Sequence, residues 1–330
     1  MKKRALGRNG PQVSEIGLGC WNLTGAYGPT DETEARETLS ACIDEGITFL
    51  DTANVYGMGQ SEEIIGRFIK DNPGRFSIHT KGGLYRNPET KERWFKNDAD
   101  YLREELEKSL RRLGVEQVQM YYIHRRDPNL DIEEVMETLL RFREEGKIEG
   151  IGFSEIAPYS LRRASTLGPV MAVQNEYSLW SRYPDLGMIQ TCEELGTAFV
   201  AFSPMGRGIF ATEVPDPNTF APTDFRYQTP RFTEPNFSRN VAKVTEFKAL
   251  AADMGTTSPA LAMAWVLAQG DHIFSIPGTR TQTHLRELAS GARLKLGTDD
   301  LAAIDKVLPV GWAHGDRYTR AQWLGAEGYC

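Results

Sequence analysis

Cysteine and histidine are scarce, at 4 and 5 residues in 330. Cys20, Cys42, Cys192 and Cys330 lie far apart and form no Cys-x-x-Cys pair. That excludes a disulfide framework and a thiolate zinc site, and predicts a cytoplasmic, reducing setting with no metal. Long apolar runs are missing too. Nowhere do about 18 uncharged apolar residues follow one another, so no membrane span is expected. The start, Met1-Lys2-Lys3-Arg4, reaches Asn9-Gly10-Pro11 without the apolar segment of a signal peptide. Basic excess is also lacking: 38 Lys and Arg stand against 45 Asp and Glu, a net charge of −7 with mixed signs. A phosphate-backbone binder needs a concentrated basic surface, so nucleic acid is not an expected partner. No P-loop, no His-Glu-x-x-His and no complete Gly-x-Gly-x-x-Gly occurs, since Gly17-Leu18-Gly19 and Gly57-Met58-Gly59 each supply only two of the three glycines. A Rossmann domain is thereby disfavoured.

What is present is an alternation. Short β-rich apolar runs occur at Glu15 to Cys20, Ile47 to Thr52, Phe76 to Lys81, Val118 to His124, Ile148 to Ser154, Met171 to Gln174, Ala198 to Ser203 and His272 to Pro277. Amphipathic segments lie between them. Asp31 to Glu45 has a Thr30 or Asp31 cap, and Asp98 to Leu113 puts Leu102, Leu106, Leu110 and Leu113 on one face. Roughly eight such units, with no composition break expected of a linker, predict an α/β protein built as a single (β/α)₈ TIM barrel over residues 1–330. Two features stand outside the repeat. Residues 1–14 read as an N-terminal hairpin around Asn9-Gly10, set over one end of the barrel. Residues 206–240, after the seventh strand, are rich in Pro, Phe and polar residues without a period, and are expected to form a long loop acting as a lid.

Working residues of such a barrel come from the C-terminal ends of its strands. That filter selects Asp51, Lys81 and His124, with Tyr56 one short loop beyond Asp51. Singly, each has an ordinary structural explanation. Together they place an acid, an ammonium, a phenol and an imidazole at one mouth. Lys81 beside Tyr56 is expected to pull the phenol below its usual value of about 10 and make it a proton donor, with Asp51 holding the lysine charged and His124 on the reacting oxygen.

Here the sequence resembles the aldo-keto reductase superfamily over nearly the whole chain. The resemblance is carried by Gly17-Leu18-Gly19-Cys20-Trp21, Asp51-Thr52-Ala53-Asn54-Val55-Tyr56-Gly57, Ser61-Glu62-Glu63, Lys81, Tyr122-Ile123-His124, Ile151-Gly152-Phe153-Ser154, Ala172-Val173-Gln174-Asn175-Glu176-Tyr177-Ser178 and Ile276-Pro277-Gly278-Thr279-Arg280. It implies an NADP(H)-dependent oxidoreductase reducing an aldehyde or ketone, with Asp51, Tyr56, Lys81 and His124 catalytic and Tyr56 the general acid. It further implies that Trp21, Tyr56 and His124 meet the carbonyl substrate. Cofactor contacts fall at Gly19, Trp21, Ser154, Gln174 and Phe202-Ser203-Pro204-Met205. The adenosine end falls at Gly278, Thr279, Arg280, His284 and Glu287, with Arg280 placed for the extra phosphate of NADP. The chain departs from the family pattern at Glu155, where many members have Asn, at Phe202, often Tyr, and at Arg286-Glu287-Leu288, where a Glu-Asn pair is common.

Two alternatives remain at this point: a Schiff-base lyase using Lys81, and a non-catalytic NADP(H)-binding regulatory subunit. The expected pairing of Lys81 with Asp51 disfavours the first. The lack of a long N-terminal extension disfavours the second. Trp21, Tyr27, Trp94, Phe95, Tyr227 and Trp312 are candidate pocket walls. Arg125 and Arg126 are candidates for recognising an anionic substrate, with at least one expected in a structural ion pair. Substrate identity and oligomeric state are left open.

Overall fold

The computed structural model describes residues 1–87, 89–90 and 93–329; Cys330, named above, lies outside the described residues. A hairpin of β1 (Lys3–Ala5) and β2 (Gln12–Ser14) opens the chain. Eight strands follow in one parallel sheet: β3 (Leu18–Gly19), β4 (Phe49–Asp51), β5 (Ser77–Gly82), β8 (Val118–Ile123), β9 (Ile148–Ser154), β10 (Ala172–Glu176), β11 (Ala198–Phe202) and β12 (Ile273–Ile276). Between β5 and β8 lies a second hairpin, β6 (Leu84–Arg86) with β7 (Arg93–Phe95). Each strand pairs with its predecessor in the barrel. The first and last are stitched together where the Gly17 and Gly19 amides donate to the Ser275 and Pro277 carbonyls at 2.9 and 3.0 Å, closing the cylinder.

The expected helices form where their caps place them. α1 (Glu32–Glu45) starts at Asp31, whose carboxylate accepts from the Glu34 amide in a capping box. After α2 (Gln60–Asp71) comes α3 (Ala99–Leu113), which starts at Asp98 and buries Leu102, Leu106, Leu110 and Leu113. The rest of the outer ring is α4 (Ile132–Glu144), α5 (Pro158–Ser165), α6 (Met188–Leu195), α7 (Asn236–Asp253), α8 (Ser258–Leu267), α9 (Gln282–Ser290) and α10 (Thr298–Val307). α8 is buried on every side, as its uninterrupted apolar sequence requires.

Strand alternation divides the apolar residues into two clusters. Leu50, Ile78, Tyr121, Ile151 and Phe199 face the helices. Phe49, Met120, Tyr122, Ala172, Val200 and Phe274 fill the barrel interior together with Leu6 and Val13, so the N-terminal hairpin plugs the lower end. Two glycines make room for this packing. A Cβ on Gly17 would lie 2.3 Å from the Phe49 ring, and one on Gly152 the same distance from Tyr122. With the lower end sealed and the interior filled, the upper ends of the strands are left to build a site.

The long loop differs from its expectation. It contains short helical turns at Gly206–Gly208, Pro217–Thr219 and Pro230–Phe232, and its last five residues already belong to α7. Its aromatic residues pack on one another: Phe232 meets Phe220 at 5.7 Å and Phe237 at 6.1 Å between ring centres.

Candidate active site

Period-two alternation aims Asp51, Lys81 and Gln174 at the top of the barrel interior, directly above Phe49, His79 and Ala172. The Lys81 ammonium donates to the Asp51 carboxylate and, at 2.8 Å, to the Thr52 carbonyl oxygen; the Gln174 amide donates to the second Asp51 oxygen at 2.7 Å. Tyr56 sits at the head of a tight turn in which Gly57 and Met58 both take the left-handed conformation, φ 59° and 57°. Its ring centre is 5.1 Å from the Lys81 Nζ. The His124 ring meets it edge-on at 5.7 Å, and Trp21 stacks on it at 5.7 Å. The four expected catalytic residues are therefore one connected group.

Their electrostatics correct one expectation. Burial pushes the Tyr56 phenol above its ordinary value, and the Lys81 ammonium only partly offsets this, so the phenol is raised rather than lowered. Burial likewise pushes the Asp51 carboxyl up against the pull of Lys81 and Gln174. Lys81 is itself raised: burial disfavours its charge, but Asp51 and Tyr56 outweigh that. A lysine held charged in this way is a poor amine nucleophile. Below it His79 is fully buried, and burial lowers its imidazole to about 3, which keeps it neutral.

Above this group opens a cavity of about 1600 Å³. Gly19, Trp21, Ser154, Gln174, Phe202, Ser203, Pro204, Met205, Gly278, Thr279, Arg280, His284 and Glu287 all line it, as do Asp51, Tyr56 and His124. Lys81 lies just beneath its floor. At the far end Arg280 donates to the Pro29 carbonyl at 3.0 Å, and the Thr281 hydroxyl caps α9 through the His284 amide. Glu287 accepts from Thr212 at 2.9 Å, tying the long loop to α9 across the cavity. Among the described residues, no group of three or more His, Cys, Asp or Glu side chains is placed to hold a metal ion, and no helix is long and apolar enough to cross a membrane.

Several other candidates sort differently. Tyr27, Phe95 and Tyr227 line the cavity. Trp94 does not: it is 58 % exposed and stacks on the outside of Phe95. Trp312 is core, stacked on Trp180 with its indole N–H donating to the Leu179 carbonyl at 2.6 Å. Arg126 pairs with Glu327 at 2.6 Å, whereas Arg125 lines the cavity. Glu155 is turned away from the cavity, paired with Arg317 and accepting from the Glu176 amide at 2.8 Å.

The long loop, expected to cover the site, does contribute walls, with Arg207, Phe225 and Arg226 beside the expected Tyr227; the segment after α10, not expected there, adds Tyr318, Thr319, Gln322 and Leu324. That last segment is fastened by a buried charge cluster. Arg317 bridges Glu155 and Glu176, and Arg207 reaches Glu176 at 2.8 Å. Burial opposes the Glu176 charge, but Arg207, Arg317 and Arg231 together hold its carboxyl down at about 2. Arg317 and Arg207 were the available signals, yet isolated arginines far apart in sequence do not announce a shared partner.

This fold and site define a (β/α)₈ barrel with a large cavity at the upper ends of its strands. Comparison narrows the class. The model of the aldo/keto reductase family matches residues 15–309. The chain is 37 % identical to aldo-keto reductase yakc NADP(+) of Schizosaccharomyces pombe, covering 93 % of this chain and 92 % of that one. It is 35 % identical to aldo-keto reductase str7 of Strobilurus tenacellus, covering 93 % of each. Among solved structures, the glycerol dehydrogenase AKR11B4 of Gluconobacter oxydans superposes with a TM-score of 0.84 at 29 % identity, covering 93 % of this chain and 94 % of that one. The chain belongs to the aldo/keto reductase family.

Proposed function

We propose that this protein is an NADPH-dependent reductase of aldehydes or ketones in which Tyr56 gives the proton to the carbonyl oxygen. The observation that carries the reading is the placement of the Tyr56 ring against both the Lys81 ammonium, itself paired with Asp51, and the His124 ring, in a cavity of about 1600 Å³ whose lining also includes Arg280, His284 and Glu287. The residues present suit that cofactor. Trp21, stacked on Tyr56, and the cavity-lining Phe202 and Met205 offer apolar and aromatic faces, Ser154 and Gln174 offer polar ones, and Arg280 with the start of α9 suits an anion. An NADP(+) enzyme among the relatives supports the same choice.

The chemistry supplied by the bound cofactor is a hydride for the carbonyl carbon. The chain's own residues do the rest. Burial keeps the phenol protonated at neutral pH, as a general acid must be. The Lys81 charge, held by Asp51 and the Thr52 carbonyl, stabilises the phenolate left after transfer. Gln174 holds the other Asp51 oxygen, so the carboxylate cannot swing toward the phenol. His124 orients the carbonyl oxygen, and Trp21, stacked on Tyr56, walls the site from water. The long loop, fastened to α9 through Thr212 and Glu287, serves as the lid over the cofactor.

The test is a panel of aldehydes and ketones assayed by loss of reduced-cofactor absorbance with NADPH and NADH side by side. Turnover with NADPH preferred is expected. The absence of carbonyl reduction with either cofactor contradicts the reading.

A further inference from the structure

Arg125 follows His124 and lines the catalytic end of the groove. Its Nη1 donates to the His124 carbonyl oxygen at 2.6 Å and to the Ser154 hydroxyl at 3.0 Å, two neutral acceptors that fix the guanidinium plane. Among the described residues Arg125 enters no ion pair, and its Nε and Nη2 make no hydrogen bond. The surrounding charges are matched. Lys81 has Asp51, Arg207 has Glu176, Arg226 has Asp224, and Arg126, the very next residue, has Glu327. Glu155, close enough to feel the Arg125 charge, is turned to Arg317 instead.

The cation is also near the reacting group, since it draws the Tyr56 phenol downward. Leu84, Phe95 and Leu324 line the cavity with it, Gly325 packs over the Arg125 Cβ, and the neighbouring phenol that also feels its charge, that of Tyr318, is kept neutral by burial. A half-buried guanidinium with one edge tied to neutral groups and the Nε–Nη2 edge unused is a fork without its acid. A single fork matches the two oxygens of a carboxylate. A phosphate dianion calls for a second cation, and the neighbouring ones are taken.

We propose that Arg125 selects carbonyl substrates that carry a carboxylate, seating it on the Nε–Nη2 edge while the carbonyl oxygen meets Tyr56 and His124. This rests on the carbonyl-reductase reading of the same site. The experiment compares 3- and 4-carboxybenzaldehyde with their methyl esters, which keep ring and aldehyde but remove the charge. Wild type is expected to favour an acid over its ester, and Arg125→Gln to lower that acid-to-ester ratio of kcat/KM about tenfold or more, through KM. Arg125→Lys, which keeps the charge but not the fork, is expected to recover only part of the ratio. Equal losses on acid and ester, or an unchanged ratio, overturn the proposal. Calorimetric binding of 3- and 4-(hydroxymethyl)benzoate gives a readout independent of turnover. Binding weakened by Arg125→Gln supports the carboxylate site even in a protein that reduces neither aldehyde, a result that defeats the reductase reading alone. Equal binding by wild type and variant defeats the carboxylate site.

Discussion

At Tyr56 two effects oppose each other. Burial raises the phenol, Lys81 lowers it, and burial wins. The sign has a kinetic consequence. A general acid works while protonated, so a phenol raised above its ordinary value keeps kcat/KM for carbonyl reduction level through neutral pH, with its fall confined to the alkaline side. A pH–rate profile of carbonyl reduction checks this, and a descending limb near pH 7 would contradict it. That Asp51, Tyr56, Lys81 and His124 form the candidate site was legible in the sequence, because strand alternation and strand-end position are both local patterns. The net shift of the phenol was not, because desolvation depends on everything packed around the ring. Likewise Gln174 was read only as a cofactor contact. Its bond to Asp51 joins residues 123 positions apart, and no spacing rule reports such a pair.

The elements that shape the mouth divide in the same way. Each barrel strand was legible to within a few residues, since an apolar run before a capped helix is a strong local signal, as at Asp31 and Asp98. The β6–β7 hairpin and the segment after α10 were not recognised, although they bring Leu84, Phe95, Tyr318 and Leu324 to the cavity. Both are short pieces without a period, held by partners distant in sequence. For the C-terminal segment those partners are Glu155 and Glu176, and the charge cluster makes its docking sensitive to acid. Glu176 ionises near 2 when folded against an ordinary 4.5. A carboxyl depressed on folding stabilises fully above 4.5, and the contribution, about 3 kcal/mol, is lost as the pH falls from there through 2. Urea unfolding across that range should show stability falling with pH in the wild type and a shallower dependence in Glu176→Gln. Identical slopes would contradict the assignment.

At the scale of the whole molecule, a closed barrel plugged below and filled within directs its chemistry to one rim. The eightfold alternation made that architecture legible, whereas closure between the first and last strands depends on backbone bonds between residues near 17 and 275. The rim gathers loops from many parts of the chain, and the proposed chemistry on which they converge is proton transfer from Tyr56 to a carbonyl oxygen. The most direct test replaces Tyr56 by Phe, which keeps the ring against Trp21 and removes only the hydroxyl, and measures NADPH binding by protein fluorescence alongside turnover of an aldehyde that the wild type reduces. NADPH affinity near that of the wild type and turnover lower by about 10²–10⁴-fold are expected. Turnover at the wild-type rate in that variant would contradict proton transfer from Tyr56.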